Sequence, residues 1–184
     1  VGVVSSEEKG ELIKQLGAVD YINRAEFGDM MRTKENLADP AADKERFKAS
    51  RGFAKRVKEI LGDAPDIVFE HVGQATFPTS VFIVKPFGRV VICGATSGFQ
   101  LDFDVRYLWM RQKQIIGSHF ANAWQCNLAN RLIEDSKVRP VLWRTMGFDQ
   151  VAEAHQLMHE NKHLGKIAIL VGATEEGQGR TAEG

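Results

Sequence analysis

The feature that most constrains this chain is its order of short apolar runs and longer, helix-compatible stretches. Val1–Val4 is strand-like, and Ser5-Ser6-Glu7-Glu8 reads as a helix start with acids in its first turn. Leu12, Ile13 and Leu16 give that helix an apolar stripe ending at Gly17, and Ala18–Ile22 reads as a second strand. Strand, helix, strand is a βαβ unit, which requires a parallel sheet. Asp66–Glu70 and Arg89–Cys93 are continuous apolar runs, the latter entered through Gly88 and left through Gly94, as in parallel strands buried on both faces. Gln114–Ser118 and Lys166–Val171 predict two more strands, and Asn122–Asp135 and Phe148–Glu160 two more helices. Between Arg24 and about Arg51 the chain is polar and reads as an insertion, with a helix around Lys44–Leu61 flanked or interrupted by Pro40 and Gly52.

The expected fold class is therefore α/β: an open, doubly wound parallel sheet of Rossmann type. Residues 1–172 form one partial domain with a basic insertion at about 26–58. Residues 173–184 form a polar tail without periodic apolar positions, for which disorder is expected. There is no G-x-G-x-x-G, so the first strand and glycine-rich turn of a complete nucleotide-binding sheet are expected to be missing from this chain.

With 184 residues, 43% of them hydrophobic, the chain can bury a core without a metal or disulfide staple. Its apolar runs fall far short of the roughly 20 residues that cross a bilayer, and it opens without a signal pattern. Cys93 and Cys126 form no Cys-x-x-Cys. A cytoplasmic protein with no membrane partner and no metal follows as the expectation. His155, His159 and His163 are spaced i, i+4, i+8, but they lack the glutamate of a zinc-protease helix, and Gly165 signals a helix end nearby. The 24 basic residues cancel 24 acidic ones, which argues against a nucleic-acid partner. One local excess stands out: Lys44, Arg46, Lys48, Arg51, Lys55, Arg56 and Lys58 against the single acid Glu45. It fits either a solvated helical face or a site for a phosphate-bearing ligand.

In such sheets ligands lie beyond the carboxyl ends of the strands. After the first strand, where an NAD-selective site would carry an acid, stand hydroxyls. Ser6 and Lys9, with Arg24 beyond the next strand, can donate to a ribose phosphate and favour NADP. Ser6 equally fits an ordinary helix N-cap, and Glu7 and Glu8 would weaken the case if they pointed inward. Glu70-His71-Val72-Gly73 and Cys93-Gly94-Ala95-Thr96 deliver small residues where a flat cofactor can lie against backbone. A glycine there also serves turn geometry alone. His119, after the next strand, falls where a nicotinamide's reactive face is expected, and also fits a structural histidine. Phe77, Phe82, Trp109 and Phe148 read as core.

The run Asp104-Val-Arg106-Tyr107-Leu-Trp109-Met110, followed by Ile115-Ile-Gly-Ser-His119-Phe-Ala-Asn122, resembles the cofactor domain of the crotonyl-CoA carboxylase/reductase family, within the medium-chain dehydrogenase/reductase superfamily. Val4-Ser-Ser-Glu-Glu-Lys9, Ile67-Val-Phe-Glu-His71 and Gly165-Lys166 resemble that family's motifs in the same order, over roughly residues 1 to 172. Quinone-reductase-like members of the superfamily lack the basic insertion and the Arg106-Tyr107 segment.

The resemblance implies an oxidoreductase that uses NADPH for reductive carboxylation of an α,β-unsaturated acyl-CoA to an alkylmalonyl-CoA, with acyl-CoA and carbon dioxide as partners and a homo-oligomeric assembly. It implies a catalytic role for His119 through contacts to carbon dioxide, contacts that an amide such as Asn122 could supply with it. Ser6, Lys9, Arg24, His71, Val72, Ala95, Thr96 and Lys166 would bind the cofactor, and Arg106 and Tyr107 coenzyme A. The segment alone is expected to be inactive, the catalytic domain lying outside it. Ala123-Trp124-Gln125-Cys126 departs from the family's more polar segment, which leaves acyl-chain length open. The alternatives are a non-carboxylating enoyl or quinone reductase segment and a non-enzymatic nucleotide-binding or assembly module.

Overall fold

The computed structural model describes residues 1–28, 30, 39–173 and 175. It divides into two compact units, Val1–Phe120 and Ala121–Gly184.

In the first unit β1 (Gly2–Val4) pairs in parallel with β2 (Tyr21–Asn23), with Val3 opposite Ile22. Between them α1 (Glu7–Gln15) packs Ile13 against Gly2 and Gly10 against the Tyr21 ring. The other face of this ribbon carries Ile22, 1% exposed, against Phe53 and Val57 of α2 (Pro40–Leu61). Helices thus cover both faces, the doubly wound arrangement expected from the βαβ pattern. Complete burial of a side chain such as Ile22 contributes about 1.5–3 kcal/mol.

α2 is longer than its sequence pattern suggests and carries core residues, Ser50, Phe53 and Val57. Asp39 caps it, accepting from the Ala41 N–H at 2.9 Å, and Pro40 occupies the first turn, where its missing N–H costs nothing. The helix runs through Gly52 and stops at Gly62, whose N–H donates to the Lys58 carbonyl at 2.8 Å.

β3 (Ile67–Glu70), β4 (Arg89–Ile92) and β5 (Gln114–Gly117) form a three-stranded parallel sheet. α3 (Phe77–Ile83) and α4 (Arg106–Trp109) connect them. Phe77, Val81, Val84 and Val90 make a second core, with Val68, Ile92, Phe103, Tyr107 and Leu108 packed around it. Trp109, expected in the core, is 64% exposed, because so short a helix cannot turn all its apolar side chains inward. α2 ties the two sheets together: the buried Ser50 and Thr79 hydroxyls lie 2.9 Å apart, and the Phe47 and Phe82 rings 5.4 Å apart.

The strand orders β2-β1 and β3-β4-β5, all parallel, are compatible with the two halves of a doubly wound 3-2-1-4-5-6 sheet. Among the described residues no strand pairs with the second edge of β1 or of β3, and Val3, Ile67 and Phe69 are each more than half exposed.

The second unit holds α5 (Ala123–Glu134), β6 (Leu142–Gly147), α6 (Val151–His159) and β7 (Lys166–Leu170). β6 and β7 pair in parallel. β6 escapes sequence reading because Arg144 and Thr145 interrupt its apolar character. The helix expected from Phe148 begins as a 3₁₀ turn at Phe148–Gln150, and Phe148 itself is exposed. α6 ends at His159, so His163 lies beyond it. Of the tail only Ala173 and Glu175 fall among the described residues. No helix among the described residues is long and apolar enough to cross a membrane.

Candidate functional site

β3, β4 and β5 end in register, Glu70 opposite Ile92 and Ile92 opposite Gly117. The ladder continues past the strand ends, with the Cys93 N–H donating to the Glu70 carbonyl at 3.0 Å and the Ser118 N–H to the Ile92 carbonyl at 2.8 Å. His71-Val72, Ala95-Thr96 and His119 therefore all emerge at one edge of one sheet.

The first two turns are bonded to each other. The Gln74 N–H donates to the Gly98 carbonyl at 3.0 Å, and the Val72 carbonyl accepts from the Ser97 N–H at 2.8 Å and the Ser97 hydroxyl at 2.7 Å. The same hydroxyl accepts from the Ala75 N–H at 3.0 Å. Gly73 has φ +91, and a Cβ there would lie 2.6 Å from the Gly98 carbonyl oxygen. Only glycine lets the turns approach this closely.

Beneath the first turn sits Glu70, 4% exposed. Its carboxylate accepts from the N–H groups of Val72 (2.7 Å) and Gly73 (3.2 Å) and from the hydroxyls of Thr76 and Ser80. Sequence reading passed over this residue. The available signal was an acid closing the apolar run Ile67-Val68-Phe69, since a carboxylate is rarely buried unless its lone pairs are met.

On the other sheet Val4 lies opposite Asn23, which puts Ser6 and Arg24 just beyond adjacent strand ends. The Ser6 hydroxyl accepts from the Lys9 N–H at 3.4 Å as N-cap of α1, so the ordinary capping role is present in the geometry. Arg24, Glu7 and Glu8 are exposed.

Arg106 is exposed and already forked onto Asp104, Nε to Oδ1 at 2.9 Å and Nη2 to Oδ2 at 2.7 Å. The guanidinium holds the Asp104 carboxyl below the usual carboxylate range, and the carboxylate raises the arginine in turn. A phosphate at Arg106 must compete with this pair. Tyr107 stacks on Phe47 at 6.3 Å and meets Phe82 edge-on at 5.1 Å, forming one wall of a cleft of about 270 Å³. Along α2 much of the basic excess meets acids: Arg46 pairs with Asp43, Lys48 with Glu45, Lys55 with Glu59, Arg56 with Asp20 and Glu59, and Lys58 with Asp63. That is the pattern of a solvated helical face, one of the two readings the charge run allowed.

The His119 ring is exposed and lies 3.6 Å from the Phe120 ring, centroid to centroid. Asn122 and Lys166 belong to the second unit. Asn122 caps α5, its side chain accepting from the Gln125 N–H and its own N–H donating to Gln125 Oε1, both at 2.9 Å. Lys166 is exposed at the start of β7.

The sequence matches the zinc-binding dehydrogenase family over residues 1–135. The chain belongs to that family. It is 41% identical to the crotonyl-CoA reductase of Streptomyces collinus over 183 residues, 98% of this chain and 39% of that protein. Two solved structures are similar. One is a crotonyl-CoA carboxylase/reductase, AntE, in complex with NADP (45% identity, TM-score 0.85, 94% of this chain and 43% of that one). The other is the 2-octenoyl-CoA carboxylase reductase CinF in complex with NADP and 2-octenoyl-CoA (41% identity, TM-score 0.85, 96% and 38%). The chain thus spans about two fifths of the length of the relatives it matches. The likeness to crotonyl-CoA carboxylase/reductases expected from the motifs extends along the chain, and the Rossmann-type fold class holds.

The family's name speaks of zinc. Among the described residues, however, no three or more His, Cys, Asp or Glu side chains gather where they could hold a metal ion, and Cys93 and Cys126 are free, exposed thiols. These residues do not fit a zinc site. A dinucleotide fits better: small residues and backbone line the in-register edge, and Lys9 and Arg24 can supply charge beside the other pair of strand ends.

Proposed function

We propose that this chain is the NADP-binding portion of a larger enoyl-CoA carboxylase/reductase, which reduces an α,β-unsaturated acyl-CoA with NADPH and carboxylates it to an alkylmalonyl-CoA. The observation that carries the reading is the in-register edge, where the ends of three parallel strands offer His71-Val72, Ala95-Thr96 and His119 side by side. The similar AntE and CinF structures, both holding NADP, support it.

NADPH, when bound, supplies the hydride. The residues of this chain bind, orient and keep water away. Ser6, Lys9 and Arg24 receive the 2′-phosphate, donating charge-assisted hydrogen bonds to an anion that NADH lacks. The turns of His71-Val72 and Ala95-Thr96 present backbone and small side chains, against which a flat ring can be oriented for transfer. Arg106 and Tyr107 receive coenzyme A, the arginine exchanging Asp104 for phosphate. His119 holds carbon dioxide by polar contacts while the carbon–carbon bond forms between it and the reduced substrate's nucleophilic carbon. Water must stay out of that step, because a proton would otherwise take the same carbon.

The complete enzyme, given crotonyl-CoA, NADPH and labelled bicarbonate, should place label in the acyl-CoA product. NADPH oxidation without label would leave a plain reductase, and neither activity would refute the enzyme reading. The free thiols Cys93 and Cys126 suit a reducing, cytoplasmic compartment. Light scattering on the complete protein tests the homo-oligomer.

A further inference from the structure

We propose that Glu70 is the positioning residue of the cofactor-binding turn: it sets the backbone of His71–Gly73, and so governs dinucleotide affinity without touching the ligand. This rests on the cofactor reading above. Glu70 Oε1 accepts from the Val72 N–H at 2.7 Å, the Gly73 N–H at 3.2 Å and the Thr76 hydroxyl at 2.9 Å. Oε2 accepts from Thr76 at 3.0 Å and from the Ser80 hydroxyl. All these donors are neutral, and two are consecutive backbone N–H groups folded into a small anion-binding concavity. A buried carboxylate left unmet would destabilise the fold strongly, so this many donors on one side chain fix the turn in one conformation.

The second turn completes the hold. Val72 is gripped by its N–H through Glu70 and by its carbonyl through the Ser97 hydroxyl at 2.7 Å, which also accepts from the Ala75 N–H. His71 stands between a strand end and this doubly fixed residue. Its direction, and that of the Val72 side chain, follow from the carboxylate below. Displacement of a positioned group by about 1 Å can cost on the order of a hundredfold in a reaction that depends on alignment. That sensitivity gives a buried residue remote from the ligand its leverage.

The test uses the complete enzyme with Glu70→Gln, which keeps the shape but loses the charge assistance to both backbone N–H groups, and Ser97→Ala. Ser97 is exposed, so its variant should fold even if the first does not. NADPH and acyl-CoA dissociation constants are measured by fluorescence titration, and amide exchange of residues 71–75 by mass spectrometry. The expected result is NADPH affinity at least tenfold weaker in Glu70→Gln and at least threefold weaker in Ser97→Ala, with faster exchange of the turn. Acyl-CoA affinity should stay within twofold, a split that general loosening of the fold would not produce. NADPH affinity within twofold of the unmodified enzyme in the folded variants overturns the role of Glu70 while leaving the cofactor reading intact. An unmodified enzyme that binds no NADPH overturns both.

Discussion

Gly73→Ala probes how tightly the two turns at the candidate edge are joined. Gly73 has φ +91, and a Cβ there would lie 2.6 Å from the Gly98 carbonyl oxygen and 2.8 Å from the Ala95 Cα. Both neighbours are backbone atoms, so no rotamer relieves the overlap. An L-residue in this region of φ costs about 1–2 kcal/mol. Parting the turns also endangers the Gln74–Gly98 bond at 3.0 Å and the Ser97 bonds to Val72, each contributing about 1 kcal/mol. The total loss is about 3–5 kcal/mol, a large share of an ordinary domain's stability. Gly62→Ala is the internal control. Gly62 has φ +80 at the end of α2, but nothing lies within 4 Å of its would-be Cβ, so only the backbone part of the cost applies. Urea unfolding of the complete enzyme, followed by circular dichroism, should show the Gly73 variant displaced more than twice as far as the Gly62 variant. NADPH affinity should fall only in the former. Equal displacement of the two midpoints would refute the reasoning, because it would mean that the turns part without cost.

Cofactor choice should follow charge: NADPH is expected to bind at least tenfold tighter than NADH, since two charge-assisted contacts of roughly 1.5 kcal/mol each correspond to about a hundredfold. Replacing Lys9 and Arg24 with alanine should erase most of that preference, and equal affinity for both nucleotides in the unmodified enzyme would remove the assignment. His119→Ala should lower carboxylation more than hydride transfer and shift the carboxylated-to-reduced product ratio by roughly ten- to a hundredfold, read by mass spectrometry. An unchanged ratio in a folded, NADPH-binding variant would exclude His119 from holding carbon dioxide. Lys113 Nζ donates to the carbonyls of Val81 (2.7 Å) and Phe82 (3.1 Å) at the end of α3, and burial pulls its ammonium down to about 8. A base with a folded pKa below its unfolded one carries a cost that is full below the folded value and gone above the unfolded one. The unmodified protein should therefore gain stability relative to Lys113→Met as pH rises from about 8 towards lysine's ordinary 10.5, measured as paired urea midpoints. A constant difference across that range would contradict the burial argument.

What the sequence made legible was mainly continuous apolar character. Ile67-Val68-Phe69 and the run from Arg89 are short and densely apolar, and the strands fall there, although the face that carries Ile67 and Phe69 is exposed and not buried as the pattern implied. The strand-tip turns became readable with them, since a strand's end fixes where its loop begins. α3 was not legible, because seven residues give barely two helical turns of periodicity. The start of α2 was not legible, because only Ser50, Phe53 and Val57 among its 22 residues are buried, so its composition is dominated by a charged outer face. Glu70 and Asp104 were missed for a related reason. Their partners are backbone N–H groups, hydroxyls or a neighbouring arginine whose fork the sequence left open for phosphate, and such pairing is visible only once the chain is folded.

The residues assigned to the dinucleotide stand on two different sheets. Ser6, Lys9 and Arg24 follow β1 and β2, whereas His71, Val72, Ala95, Thr96 and His119 follow β3, β4 and β5. In the 3-2-1-4-5-6 order, a dinucleotide lies across the point where the strand order reverses, beside the first strand. That place lies between β1 and β3, and the two sheets are tied through α2, by Ser50 to Thr79, Phe47 to Phe82, and Ile83 against the Phe53–Val57 cluster. Those contacts hold one face but set no hydrogen-bonded register between the edges of β1 and β3. A parallel strand laid between them would bond to both edges. The separation between the phosphate-binding and nicotinamide ends would then be fixed by the sheet itself.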